Sequence, residues 1–165
     1  MSLLPPGFPD DVFGAFGVLK GRDVLSVDDL KVLALIEVSG EYLYQAMARV
    51  VPDEACKALL KRNGQEERGH AHRMLKAIAL KGGDFTLPPD EEIPFVRNTP
   101  QEMPTNAEFL AMLAGAEDDG DLVYQSWADA EPDPEVAKLL RQNGREEARH
   151  GERVNEVRRL LGMAV

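Results

Sequence analysis

The sequence predicts an all-α protein, an antiparallel four-helix bundle with one long crossover between the second and third helices. Three observations predict it. Glu37–His70 aligns with Glu117–His150 at a constant offset of 80 residues, and 14 of those 34 positions are identical. Four stretches carry inward-facing residues at alternating spacings of three and four, the period of a bundle helix. Proline and glycine punctuate the chain between those stretches and once, at length, in its middle.

Residues 1–25 form an N-terminal arm, in which 10–20 reads as a short helix with Phe13 and Phe16 capping an end of the bundle. The bundle itself covers 26–165, as repeats over 27–82 and 105–161 with a crossover over 83–104. The first bundle helix spans about 27–50, where Ser26 and Asp29 supply a capping box. Pro52-Asp53 ends it and starts the second, about 54–81, which stops at Gly82-Gly83. So short a link makes the two helices antiparallel neighbours. Residues 83–104 hold Pro88, Pro89, Pro94, Pro100 and Pro104, too many for a helix. A helix of about 28 residues is ~42 Å long, and this segment can run that distance. It is expected to do so, with the third helix starting at the same end as the first. Thr105 and Glu108 read as a capping box for that third helix, to about 130. Pro132-Asp133-Pro134 turns the chain into the fourth, about 134–161.

The repeated positions are mostly polar or glycine: Glu37, Gly40, Tyr44, Gln45, Asn63, Gly64, Glu66, Glu67 and His70 all recur 80 residues on. A repeat that served only packing would retain apolar residues, so a chemical element was duplicated. The inward seam of the first helix is Leu33, Glu37, Gly40, Tyr44 and Met47; that of the third is Leu113, Glu117, Gly120, Tyr124 and Trp127. The second carries Leu60, Asn63, Glu67, His70, Met74 and Ala77, and the fourth Leu140, Asn143, Glu147, His150, Val154 and Val157. Glu37, Glu67, His70, Glu117, Glu147 and His150 therefore converge on one interior level. One buried charge costs several kcal/mol or more, so four clustered carboxylates demand cations or protons. Two divalent cations match the four negative charges, and imidazoles join as neutral ligands.

Composition removes other functions. A net charge of -10 and a pI of about 4.8 oppose a nucleic-acid partner. The single cysteine, Cys56, excludes a disulfide scaffold, a zinc ribbon and a four-cysteine iron site. No apolar run approaches the roughly 20 residues of a membrane span. The opening MSLLPPGFPDD lacks the basic segment of a signal peptide, so a cytoplasmic protein is expected.

A glutamate from each of two helices with Glu-x-x-His from each of the other two resembles the ferritin-like di-iron carboxylate superfamily, and within it the rubrerythrin-like branch, over about 27–161. The resemblance implies a ferritin-like bundle binding two iron ions, with manganese or zinc as substitutes. It makes Glu37 and Glu117 terminal ligands, Glu67 and Glu147 bridging ligands, and His70 and His150 one ligand to each ion. Peroxide or dioxygen reduction is the implied activity, a ferroxidase and iron-storage role the alternative, and a redox-inactive helical binding module the third reading. Rubrerythrins proper carry a rubredoxin module, absent from this sequence, so electrons would come from a separate protein. They also have a glutamate where this chain has Gly120, and bacterioferritins a haem-binding methionine where it has Arg68, so no haem is expected. A homodimer or larger homo-oligomer is expected.

Around these ligands, several residues carry two readings. Tyr44 and Tyr124 are candidate catalytic residues, hydrogen-bonding ligand glutamates across the bundle or joining redox chemistry, or else plain buried tyrosines. Glu66 and Glu146 either accept the second N–H of His150 and His70, respectively, or are surface charge. Glu41 and Asp121 flank the ligands or replace one. Gly40 and Gly120 leave space beside the ions or let helices pack closely. His72 reads as surface, Cys56 as core, and Trp127 as core or interface.

Overall fold

In a computed structural model the chain is described over residues 3–165. Among those residues there are six helices and no strand: α1 (Val12–Lys20), α2 (Val27–Val50), α3 (Glu54–Leu80), α4 (Pro94–Arg97), α5 (Ala107–Ala130) and α6 (Pro134–Leu160). The four long ones are the bundle.

Each begins on a side-chain cap. Ser26 Oγ accepts from Asp29 N–H at 3.1 Å while the Asp29 carboxylate accepts from Ser26 N–H at 2.9 Å, the reciprocal box expected. Asp53 and Asp133 cap α3 and α6 by accepting from Cys56 N–H and from Glu135 and Val136 N–H. The start of α5 differs from expectation. Its cap is Asn106, accepting from Phe109 N–H at 2.8 Å, so Thr105 lies one residue outside and Glu108 is not at the reciprocal position. Asparagine caps at least as well as threonine, and the register of the first turn decided between them.

The central segment holds two short pieces of helix despite its prolines, a 3-10 turn at Asp90–Glu92 and α4. Pro94 heads α4, where its missing N–H costs nothing. Gly83 lies against Val27 at the start of α2, and further along Met103 N–H bonds Ala46 O and Arg49 Nη1 bonds Gln101 O at 2.8 Å. The segment thus climbs from the beginning of α2 to its end. The third bundle helix, α5, starts where the first one finishes, not where it begins. A helical hairpin returns the chain to its starting end, and a crossover the length of the bundle then carries it to the other. Trp127 Nε1 bonding Arg22 O, and Lys81 pairing with Glu131 at 2.7 Å, mark the opposite end.

Helix α1 packs on that opposite end through Ala15 and Leu19, both fully buried, and Phe16 meets Trp127 edge-on at 6.1 Å. Phe13 does not cap the bundle; it is 86% exposed, because a nine-residue helix turns only one face inward.

Two apolar cores fill the bundle. One gathers Leu30, Leu33, Met74, Ile78, Trp127 and Leu140, and the other Met47, Val51, Cys56, Leu60, Leu110 and Val157. At roughly 1.5–3 kcal/mol for each large side chain removed from water, these cores supply the gross driving force. Between them lies a layer of fully or nearly buried polar residues: Glu37, Glu67, His70, Glu117, Glu147, His150, Asn63 and Asn143.

Candidate metal centre

The polar layer is assembled from mid-helix positions of all four bundle helices. Glu37 comes from α2, Glu67 and His70 from α3, Glu117 from α5, and Glu147 and His150 from α6. The i, i+3 spacing of each Glu-x-x-His puts both side chains on one helix face, aimed at the bundle axis.

Two four-residue groups result, Glu37 with Glu67, His70 and Glu147, and Glu67 with Glu117, Glu147 and His150. In each, one donor atom per residue lies within 4.8 Å of all the others. His70 Nδ1 stands 3.4 Å from Glu37 Oε2, 3.4 Å from Glu67 Oε2 and 3.3 Å from Glu147 Oε1. His150 Nδ1 stands 3.3 Å from Glu67 Oε1, 3.3 Å from Glu147 Oε2 and 4.0 Å from Glu117 Oε2. Glu67 and Glu147 therefore turn one oxygen toward each histidine, and Glu37 and Glu117 each belong to one group. The imidazoles lie nearly parallel, 5.2 Å between centroids.

The other imidazole nitrogens are held from behind. His70 Nε2 bonds Glu146 at 3.0 Å and His150 Nε2 bonds Glu66 at 3.1 Å, so each histidine is fixed by a carboxylate from the opposite half. Nε2–H donates there, which leaves Nδ1 as the nitrogen on the carboxylate side. Both Nδ1 atoms are buried and have no hydrogen-bond partner. A buried polar atom rarely stays unpaired. Two of them, each ringed by three carboxylates, make a donor set that fits a pair of divalent cations.

Tyrosines close the layer above and below. The Tyr44 hydroxyl donates to Glu117 Oε1 and the Tyr124 hydroxyl to Glu37 Oε1, each crossing from one half to the other. Asn143 Nδ2 bonds the Tyr124 hydroxyl at 3.2 Å. Gly40 and Gly120 differ in purpose. A Cβ on Gly40 would meet the Glu67 carboxyl carbon at 3.0 Å, so glycine there makes room for that side chain, whereas one on Gly120 would meet Glu147 at an ordinary 3.6 Å.

Electrostatics follow from burial. Desolvation pushes the Glu37 carboxyl up to about 8, and burial with the charge of Glu147 pushes Glu117 well above the usual carboxylate range. Burial also pushes both tyrosine hydroxyls well up. Burial alone would lower His150, but Glu147, Glu66 and Glu67 outweigh it and hold the imidazole up at about 12; His70 is raised for the same reason. Without cations the layer is thus neutralised by protons, and those protons are what a metal pair displaces.

Several sequence readings receive an address. Glu41 is engaged by Arg68 and Gln45, and Asp121 by Gln125, so neither joins the centre. His72 is exposed, Cys56 is buried in the second core, and Trp127 belongs to the first. Two further pairs escaped the sequence reading. Arg73 grips Glu146 with Nη1 at 2.7 Å and Nη2 at 2.9 Å, and Arg153 grips Glu66 at 2.7 and 3.1 Å. Asn143 and Asn63, seen only as seam residues, accept from the same guanidinium groups at 3.0 and 2.9 Å. Extending the 80-residue comparison three positions past His70 and His150 would have found the arginines.

None of the described helices is long and apolar enough to cross a membrane. A family model described as Rubrerythrin matches residues 30–158. Searches of curated proteins and of solved structures return no match.

Proposed function

We infer that this chain, which belongs to the rubrerythrin family, is a di-iron oxidoreductase that reduces hydrogen peroxide or dioxygen. The observation carrying this reading is the pair of orphaned Nδ1 atoms, His70 and His150, each facing three carboxylates in a dry interior. Glu37, Glu67, His70, Glu117, Glu147 and His150 would hold the two ions, with Glu67 and Glu147 common to both groups and Glu37 with His70 and Glu117 with His150 belonging to one group each. Carboxylates and imidazoles suit iron, with manganese or zinc able to occupy the same donors.

When bound, the iron pair supplies two electrons and open coordination positions for the oxidant. The chain does the rest. Glu66 and Glu146 fix the histidine tautomers. Tyr44 and Tyr124 orient Glu117 and Glu37 by donating to them, and burial keeps each phenolic proton on its oxygen at neutral pH. The two apolar cores on either side exclude bulk water. Turning peroxide into two waters consumes two electrons and two protons, and a separate donor protein returns the electrons. The exposed Met112 and Leu122 on α5, 54% and 68% accessible, support a homodimer or larger assembly.

The test is anaerobic Fe(II) loading followed by stopped-flow mixing with either oxidant. Two irons per chain and faster oxidation by peroxide are expected. Faster oxidation by dioxygen in a hollow multi-subunit particle would assign ferroxidase and storage instead. Failure to bind metal would leave a helical binding module and end the proposal.

A further inference from the structure

We propose that Arg73 and Arg153 are positioning residues assigned to one metal ion each, every guanidinium ordering the hydrogen-bonded frame behind a single histidine and its terminal glutamate. The inference rests on the di-metal reading above and goes beyond it to residues outside the ligand set.

Arg73 lies one helical turn after His70 on α3, so it leaves the same face. It crosses to α6 and clamps both oxygens of Glu146, and Glu146 Oε2 is also the atom that holds His70 Nε2. The same Nη1 reaches Asn143 Oδ1 at 3.0 Å. Asn143 Nδ2 in turn bonds His70 O at 3.4 Å and the Tyr124 hydroxyl at 3.2 Å, and Tyr124 donates to Glu37. Both branches from one arginine therefore end on His70 and Glu37, which share a group. Arg153 repeats the pattern. It clamps Glu66, which holds His150 Nε2, and it reaches Asn63 Oδ1 at 2.9 Å. Asn63 bonds His150 O at 3.2 Å and lies beside Tyr44, where it counters the rise of the phenol that donates to Glu117. Those branches end on His150 and Glu117, the members of the other group.

Neutralising Glu66 and Glu146 would be a blander role, and a lysine could perform it. The geometry asks for more than charge. Each guanidinium makes two parallel bonds to a carboxylate and a third to an amide, a planar fork that a lysine point charge cannot copy. The arginine side chains are only 19% and 13% exposed, so solvent competes little for these bonds.

Co(II) titration of the full chain, followed by visible absorption and calorimetry, tests the assignment. Metal-free melting curves of every variant report on folding. Wild type should bind two equivalents. Arg73→Met should weaken one equivalent about 10- to 100-fold, the usual cost of losing such a partner, and leave the other within about threefold. Arg153→Met should do the same to the other. On a His150→Ala background, which already cripples one ion, Arg153→Met should weaken metal binding by less than about threefold further, and Arg73→Met by at least about tenfold. Should a methionine variant fail to fold, Arg73→Lys and Arg153→Lys keep the charge and are expected to lose about tenfold in affinity at a near-native melting temperature. Wild-type affinity in the arginine variants would overturn the proposal, as would equal weakening of both equivalents or full rescue by lysine. Wild type binding no Co(II) would instead overturn the di-metal reading, and this proposal with it.

Discussion

The first half of the bundle, α2 and α3, and the second, α5 and α6, agree on the inside and disagree on the outside. Toward the axis they match residue for residue: a glutamate of one group, a tyrosine two turns later, then an asparagine, a glutamate common to both groups, a histidine and an arginine. Away from it they diverge. Val32, Leu35 and Val38 of α2 are fully buried, under the arm and the crossover that supply Leu4, Leu25, Ile93 and Phe95. Their equivalents on α5 are Met112, Gly115 and Asp118, all exposed. Tyr42 bonds Asp90 of the crossover at 2.8 Å, and Arg68 joins the same carboxylate. The matching residues, Leu122 and Ala148, have no such neighbour to meet. The arm and the crossover exist once per chain, so only one half has an outer layer. A duplicated element retains what both copies need and loses register wherever their surroundings differ.

The strongest way to break the inner equivalence is to remove the shared oxygens. Glu67→Ala and Glu147→Ala should each lower metal binding to the same degree, because each carboxylate faces both histidines. The double variant should bind no metal at all, against two equivalents for wild type, by elemental analysis after loading. An intact stoichiometry in the double variant would show that these glutamates are not the bridges. Unequal singles would show that the halves are not chemically alike.

A second effect sharpens the contrast between the polar layer and the cores around it. The Glu37 carboxyl stands near 8 in the folded chain against 4.5 for an ordinary glutamate, so between those values the folded state holds a proton that the unfolded chain has released. Stability must then fall as pH rises through this window. His150, raised to about 12 from 6.5, acts in the same direction above pH 6.5. Glu146, held down near 2 by His70 and Arg73 against the effect of burial, gives stability that is already complete above about pH 5 and does not vary here. Metal-free protein should therefore melt at a clearly lower temperature at pH 8.5 than at pH 6, read by a thermal scan at the two pH values. Divalent metal displaces those protons, so the rise in melting temperature on loading should be larger at pH 8.5 than at pH 6. A metal-free melting temperature independent of pH would mean that the carboxylates are hydrated rather than packed together.

The inner layer was legible in the sequence because helical register and the 80-residue shift act together. One period says which side chains face the axis, and the other says which helices supply the same level. The cross-pairing of Glu66 with His150 and of Glu146 with His70 was implied by the resemblance to related bundles, with plain surface charge as the other reading, and the structure shows the pairing. Arg73 and Arg153 recur at the same 80-residue shift, but their partners are carboxylates on another helix, and along their own helices they look like solvated charge. The crossover posed a different difficulty. Proline content marks where a chain cannot be regular, but its direction follows from topology, and Pro94 heads a short helix because the first position of a turn needs no N–H. Phe13 and Phe16 are three residues apart, and nothing local distinguishes the one that finds Trp127 from the one left in solvent.

The smallest effect lies on the outside of the second half. Met112 is 54% exposed on the face where α5 has no covering layer, so Met112→Ser should change the stability of an isolated chain by no more than about 0.5 kcal/mol. Val32, its fully buried equivalent, belongs to the first apolar core, and there the same serine would put a hydroxyl among apolar side chains at a cost of about 1–3 kcal/mol. If copies of the chain meet through α5, Met112→Ser with Leu122→Ser should lower the native mass measured by light scattering while leaving metal content at two per chain. A mass unchanged by both substitutions would mean that this face is free in solution, and that the second half does without a cover where the first half requires one.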